Sequence, residues 1–464
     1  MTRLFASHAL LPSGPARDVL IEISGGRFAS VTPNATVSDT TGPDTTGPDT
    51  TGSGTTGPRD ATRLRGVVLP GFANAHSHAF HRALRGRTHA GGGTFWTWRE
   101  AMYSLASRLD PDSYLALARA VYAEMALAGI TTVGEFHYVH HAPGGQLYSD
   151  PNAMGHALQQ AARDAGVRLT LLDTCYLEGG LGEAGHLPLD ELQLRFSDKT
   201  VDAWASRVGE IEAAPPTTGP GTIAGAAIHS VRAVARDDLA LVAVASADRP
   251  LHVHLSEQPA ENRSALVYYG RTPTELLDQS GALTPRTTVV HATHLAAGDI
   301  EVLGRGRVTA CFCPTTEQDL ADGIGPARAL ADAGVRLSLG SDQNAVVDLI
   351  GEARALESGE RLASLRRGRF LPDELLAAAT AHGSLGWADA GAIAPGMRAD
   401  LVCVRLDTVR TAGVDPAQIL LVATAADIDS VWVDGTPVVS GGAHRLGDVA
   451  GLLADAIGDL WADA

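Results

Sequence analysis

The sequence predicts an α/β fold: a (β/α)8 TIM barrel with a small β-sandwich domain built from both chain ends. Eight short apolar runs alternate with Ala- and Leu-rich amphipathic segments from residue 67 onward, the pattern of a parallel barrel rather than of separate β and α domains. The stretches before and after this region return to an alternating β pattern. Four of the eight runs end in histidine or carboxylate, and the catalytic mouth of such a barrel lies at its strand ends. The expected boundaries are 1–66 and 393–464 for the two parts of the β domain, and 67–392 for the barrel.

Taken in order, residues 1 to about 37 alternate apolar and polar, as in Val19-Leu-Ile-Glu-Ile-Ser, with Gly-Gly breaks. A Thr-Gly-Pro-Asp repeat follows at about 38–60. It has almost no apolar residue to pack, so it reads as a disordered insert without chemistry. The strand candidates are Val67–Leu69, Thr131–Phe136, Leu169–Leu177, Thr222–His229, Leu251–Leu255, Thr288–His291, Val308–Cys313 and Arg336–Gly340. Amphipathic stretches such as Tyr114–Leu127 and Met154–Asp164 lie between them. After a helix near Leu371–Ala388 come two further β stretches, and Asp434-Gly435 between apolar runs marks a hairpin.

The 464-residue length suits a barrel plus one added domain. No apolar run approaches the ~20 residues that span a bilayer, and the start lacks a signal-peptide pattern, so a cytoplasmic protein is expected. A net charge of −17 argues against nucleic acid and anionic membrane as partners. Four irregularly spaced cysteines imply no disulfide framework, and Cys311-Phe-Cys313 lacks the second pair of a thiolate site.

In a strand, residues i and i+2 point to one face. His76 and His78, following Val67–Leu69 through Pro70-Gly71, therefore reach one metal ion with little strain. The fifth run ends His252-Val-His254-Leu-Ser-Glu257, the sixth at His291 and the eighth in Gly340-Ser-Asp342. We read His76, His78, His254 and Asp342 as ligands of one divalent ion, Zn2+ first and Fe2+ second, with a position open for water. His254 lies nearer the mouth than His252, which reads as a packed residue. A second ion bridged by a carboxylated lysine is excluded, because the only lysine, Lys199, lies outside every strand candidate.

His-x-His, His-x-x-Glu, His and Ser-Asp in this order resemble the mononuclear deaminase branch of the amidohydrolase superfamily. His-Ser-His-Ala-Phe-His-Arg (76–82), Phe-Trp-Thr-Trp-Arg-Glu (95–100), Glu-Phe-His-Tyr-Val-His-His (135–141), His-Ser-Val-Arg (229–232) and His-Leu-Ser-Glu-Gln (254–258) are similar to the formimidoylglutamate deiminase family. The resemblance covers nearly the whole chain and implies hydrolysis of N-formimino-L-glutamate to N-formyl-L-glutamate and ammonia, in histidine degradation. It implies Glu257 as general acid, with His291 and Asp342 assisting catalysis. It also implies His81, Arg99, Tyr138, His229 and Arg232 as the binding residues for a small dicarboxylate, and a homodimer. His81 stands where the family more often has glutamine. A nucleobase deaminase such as one for guanine is the alternative; two arginines at the mouth favour the dianionic acyclic substrate.

Overall fold

The computed structural model describes residues 1–35, 60–89, 92–211 and 220–462. The repeat expected to form an insert at about 38–60 lies outside them but for its last residue. Eight parallel strands form the barrel in chain order: Phe72–Ser77, Ile130–His137, Arg168–Cys175, Thr222–Ile228, Leu251–Leu255, Thr287–His291, Thr309–Phe312 and Arg336–Leu339, called strands one to eight. The ring closes at its C-terminal rim. Ser77 and Asp342 form a parallel bridge, with Asp342 N–H donating to the His76 carbonyl at 2.9 Å and His78 N–H to the Asp342 carbonyl at 3.0 Å.

A second eight-stranded sheet takes strands from both chain ends, pairing Thr62–Pro70 parallel to Thr2–Leu11 and antiparallel to Leu401–Val404. Leu4, Val19, Ile21, Phe28, Val68 and Leu401 fill its core. The expected Asp434-Gly435 hairpin joins Ile428–Val433 to Thr436–Ser440, both turn residues taking positive φ.

One strand assignment is corrected. Val67–Leu69 is not barrel strand one; it belongs to Thr62–Pro70 of the second sheet, and the barrel begins at Phe72 beyond Pro70-Gly71. The run is apolar because it is buried between the two units, and burial on both faces looks alike in sequence whichever sheet it joins.

The N-terminal end of the barrel is plugged by residues 382–387. The helix expected over Leu371–Ala388 runs only from Pro372 to Ala379, and a 3-10 turn, His382–Leu385, follows. The Thr170 hydroxyl donates to the Leu385 carbonyl at 2.7 Å, the Trp387 indole to Thr170 Oγ1 at 3.0 Å, and His252 Nε2 meets the Ser384 carbonyl at 3.2 Å. These bonds satisfy polar groups that would otherwise be orphaned inside the barrel.

Candidate active site

His76 lies in strand one and His78 just past its end, so the two-residue repeat aims both rings into the barrel mouth. His254 comes from strand five, and Asp342 follows strand eight. His76 Nε2 lies 3.1 Å from His254 Nε2, and Asp342 Oδ1 lies 3.4 Å from Nε2 of both His76 and His78. His78 Nδ1 is 2.9 Å from the Phe136 carbonyl, which assigns the N–H to Nδ1 and leaves the Nε2 lone pair facing Asp342. Burial, with the neighbouring rings, keeps all three imidazoles neutral; for His78 the pKa is lowered to about 3.

Three neutral imidazoles and a carboxylate oxygen converge here, with Nδ1 of both His76 and His254 buried and without a partner among the described residues. The donor set thus fits a divalent ion. Held one layer lower by Ser384, His252 stays out of the cluster.

The backbone is unusual here. Ser256, His291, Ala292, Asp342 and Asn344 all take positive φ without being glycine, each just past the end of strand five, six or eight or, for His291, at it. Such outliers gather where surrounding structure over-determines an active geometry.

His291 stands between three carboxylates: Nδ1 is 3.5 Å from Glu317 Oε1, and Nε2 is 3.8 Å from Glu257 Oε1 and 4.0 Å from Asp342 Oδ2. Burial alone would lower its pKa, but Glu257 and its other acidic neighbours outweigh burial and raise it to about 10. Arg232 Nη2 lies 3.1 Å from Glu257 Oε2, and Arg232 Nε lies 3.5 Å from Glu261 Oε2.

The five residues expected to bind substrate line one pocket together with His78, His254, Glu257, His291 and Asp342. His81 Nε2 meets the Tyr138 hydroxyl at 3.0 Å, and the His229 ring lies 5.2 Å from that of His254. Arg99 sits on the helix Phe95–Ala106, capped by the Thr94 side chain and held down by Phe95, Trp98 and Met102. Its Nε donates to the Tyr103 hydroxyl, one helical turn on, at 2.7 Å.

Several pocket residues escaped the sequence reading. Tyr176 directly follows strand three, which ends at Cys175, two residues before the expected Leu177. Tyr103 shares a helix face with Arg99, a spacing that was legible. Behind the pocket wall, Gln193 bonds Tyr176 and Glu317 faces His291; neither carries a local signal, and only the fold brings them in.

The sequence signature of the amidohydrolase family matches residues 67–438, and that described as the N-terminal domain of formimidoylglutamate deiminase HutF matches residues 1–41. The chain belongs to the amidohydrolase family. This amidohydrolase is 37% identical to the formimidoylglutamate deiminase of Pseudomonas aeruginosa, over 87% of this chain and 86% of that protein. It is 30% identical to the 8-oxoguanine deaminase of the same organism, over 84% of this chain and 86% of the relative. Among solved structures it resembles an amidohydrolase from Brucella melitensis with a TM-score of 0.84 at 30% identity, covering 99% of this chain and 100% of the other. Atrazine chlorohydrolase TrzN from Arthrobacter aurescens, complexed with zinc, shares the fold with a TM-score of 0.82 at 23% identity, covering 99% and 100%.

Proposed function

We propose that this amidohydrolase is a formimidoylglutamate deiminase, converting N-formimino-L-glutamate and water to N-formyl-L-glutamate and ammonia. The observation that carries the reading is a single pocket in which two arginines, Arg99 and Arg232, face the His76–His78–His254–Asp342 cluster. A dianionic substrate with a cationic amidine end matches that polarity.

His76, His78, His254 and Asp342 would hold one divalent ion, Zn2+ first and Fe2+ second, which would lower the pKa of a bound water toward ~7. Asp342 Oδ1, between two ligand imidazoles, accepts the proton lost as the water oxygen adds to the amidine carbon. His291, between Glu257 and Asp342, donates a hydrogen bond to the oxygen that adds to the amidine carbon and so holds the tetrahedral intermediate. Glu257 is turned by Arg232 so that Oε1 faces the centre, and it delivers the proton to the departing nitrogen. The carbon–nitrogen bond breaks, ammonia leaves, and the hydroxyl proton returns to Glu257 as the formyl C=O forms. Arg99, Arg232, His81, Tyr138 and His229 hold the substrate.

Support for zinc comes from the donor set and from zinc-bound structures of the same fold. We also infer a homodimer, as the resemblance implies, acting in the cytoplasm. Among the described residues no helix is long and apolar enough to cross a membrane. Light scattering reads the oligomeric state directly.

Ammonia release from N-formimino-L-glutamate, from guanine and from 8-oxoguanine tests the reading. Turnover of the acyclic substrate alone is expected, lost on chelation and restored by Zn2+ or Fe2+. Turnover of a purine without it would instead favour the branch of the 8-oxoguanine relative.

A further inference from the structure

We propose that the hydroxyls of Tyr103 and Tyr176, held in place by Gln193, form a carboxylate-binding element that sets the substrate specificity of this pocket. Gln193 is fixed first. Its Oε1 accepts the Asp190 N–H at 2.9 Å, while its own N–H donates to Asp190 Oδ1 at 2.8 Å. This anchoring assigns the amide orientation and turns Nε2 toward Tyr103 Oη and Tyr176 Oη, each at 3.0 Å, and the Gly179 carbonyl at 2.9 Å.

Tyr103 Oη also accepts from Arg99 Nε at 2.7 Å. Neither an amide nitrogen nor a guanidinium accepts a hydrogen bond. The two phenol hydrogens therefore cannot go to Gln193 Nε2 or to Arg99. At most one can go to the other phenol, so at least one has no acceptor among the described residues. Both rings line the pocket beside His229 and Arg232.

Arg99 adds to the imbalance. Among the described residues no carboxylate pairs with it; its partners are the Tyr103 oxygen and the rings of Trp96 and Tyr103, at 5.7 and 5.0 Å. Arg232, by contrast, already faces Glu257 and Glu261. The Arg99–Tyr103–Tyr176 corner is thus a cluster of donors lacking an acceptor. A carboxylate accepts only and has two oxygens to share, so it fits. A carboxamide turns an N–H toward these donors, and a site built this way rejects it.

The inference rests on the proposed deiminase reading for its substrate, but its test does not. Calorimetry with glutarate and kinetics with N-formimino-L-glutamate are run on the wild type, Tyr103→Phe, Tyr176→Phe and the double variant. Phenylalanine keeps each ring and removes only the hydroxyl. Weakening of glutarate binding by about tenfold or more in the double variant is expected, from loss of hydrogen bonds to a charged group. KM should rise by a similar factor, with kcat within about threefold and metal content unchanged. Gln193→Glu, whose acceptor oxygens compete for the phenol hydrogens, should weaken glutarate binding as well, whereas Gln193→Asn, with a shorter amide, should restore part of it relative to Gln193→Ala. A smaller loss in the double variant, or a fall in kcat with KM and glutarate affinity unmoved, overturns the proposal. Glutarate binding that behaves as expected in an enzyme inactive on N-formimino-L-glutamate would leave the cradle standing and remove the deiminase reading.

Discussion

Glu257 holds two relationships at once: Oε2 pairs with Arg232, and Oε1 faces His291. Glu257→Gln keeps the shape and the Arg232 contact but removes the transferable proton. We expect kcat to fall about 10²- to 10⁴-fold with metal content unchanged, measured by ammonia release and elemental analysis. Full activity in that variant would exclude Glu257 as the acid. The arginines should behave differently from each other. Arg99→Met removes the proposed anion anchor, so KM should rise on the order of tenfold or more with kcat largely kept. Arg232→Met also frees Glu257, so kcat should fall along with the rise in KM.

A second residue-scale prediction concerns pH. Asp198 is buried, which opposes ionisation, yet the bonds from His141 at 3.1 Å and Arg207 at 2.8 Å outweigh burial and hold its carboxyl below the ordinary value. A carboxyl depressed on folding stabilises the native state at every pH above its unfolded pKa of ~3.9, and that stability is lost as pH falls toward the lower folded value. Asp198→Asn should therefore destabilise the protein by about 1–3 kcal/mol at pH 7. The gap should close as unfolding is measured below about pH 4. A gap independent of pH would show that the charge contributes nothing.

At the scale of elements, the contacts that close the barrel are the ones that bring Asp342 to His76 and His78 in the proposed metal centre. Strand eight can approach His76 because Gly340 has no side chain: a Cβ there would lie 2.8 Å from both the His76 Cβ and its carbonyl oxygen, and 2.9 Å from Cys313 Sγ. Those neighbours are backbone and packed core, so they cannot yield. Gly340→Ala should push the strand away from His76, lower metal content and abolish most activity, while far-UV dichroism stays near native. Retained metal stoichiometry in that variant would contradict the packing account. The pocket-lining helix Phe95–Ala106 works by a simpler rule. One face buries Trp98 and Met102, and the neighbouring face presents Arg99 and Tyr103 one turn apart.

At the scale of the molecule, distant chain ends support the site. The helix Val449–Trp461 buries Val449, Leu453, Ala456 and Leu460, a helical stripe. Its Trp461 indole donates to the Ala83 carbonyl at 3.1 Å, on the 3-10 turn that carries His81, and Arg87 and Arg108 lie over the ring at 5.4 and 5.2 Å. Trp461→Ala should cost about 2 kcal/mol in urea unfolding, since the ring is only half-buried. It should also raise KM more than it lowers metal content, because the turn it braces holds His81 and not a ligand. The buried Arg168 reaches from strand three to Asp434 at 2.9 Å, tying barrel to terminal sheet.

Much of this was legible along the chain. His76, His78, His254, His291 and Asp342 are marked by position at strand ends, and a two-residue strand period is a local property that sequence carries directly. The same locality marks seven of the eight barrel strands and the Asp434-Gly435 turn. What only the tertiary structure decided is partnership. Val67–Leu69 is equally apolar in either sheet, and long-range pairing with Thr2–Leu11 and Leu401–Val404 assigns it. Gln193 meets Tyr103 across 90 residues of chain, and no periodicity encodes that contact. Sequence fixes which side chains share a face; which faces meet depends on the simultaneous packing of the whole core, a property no single stretch contains.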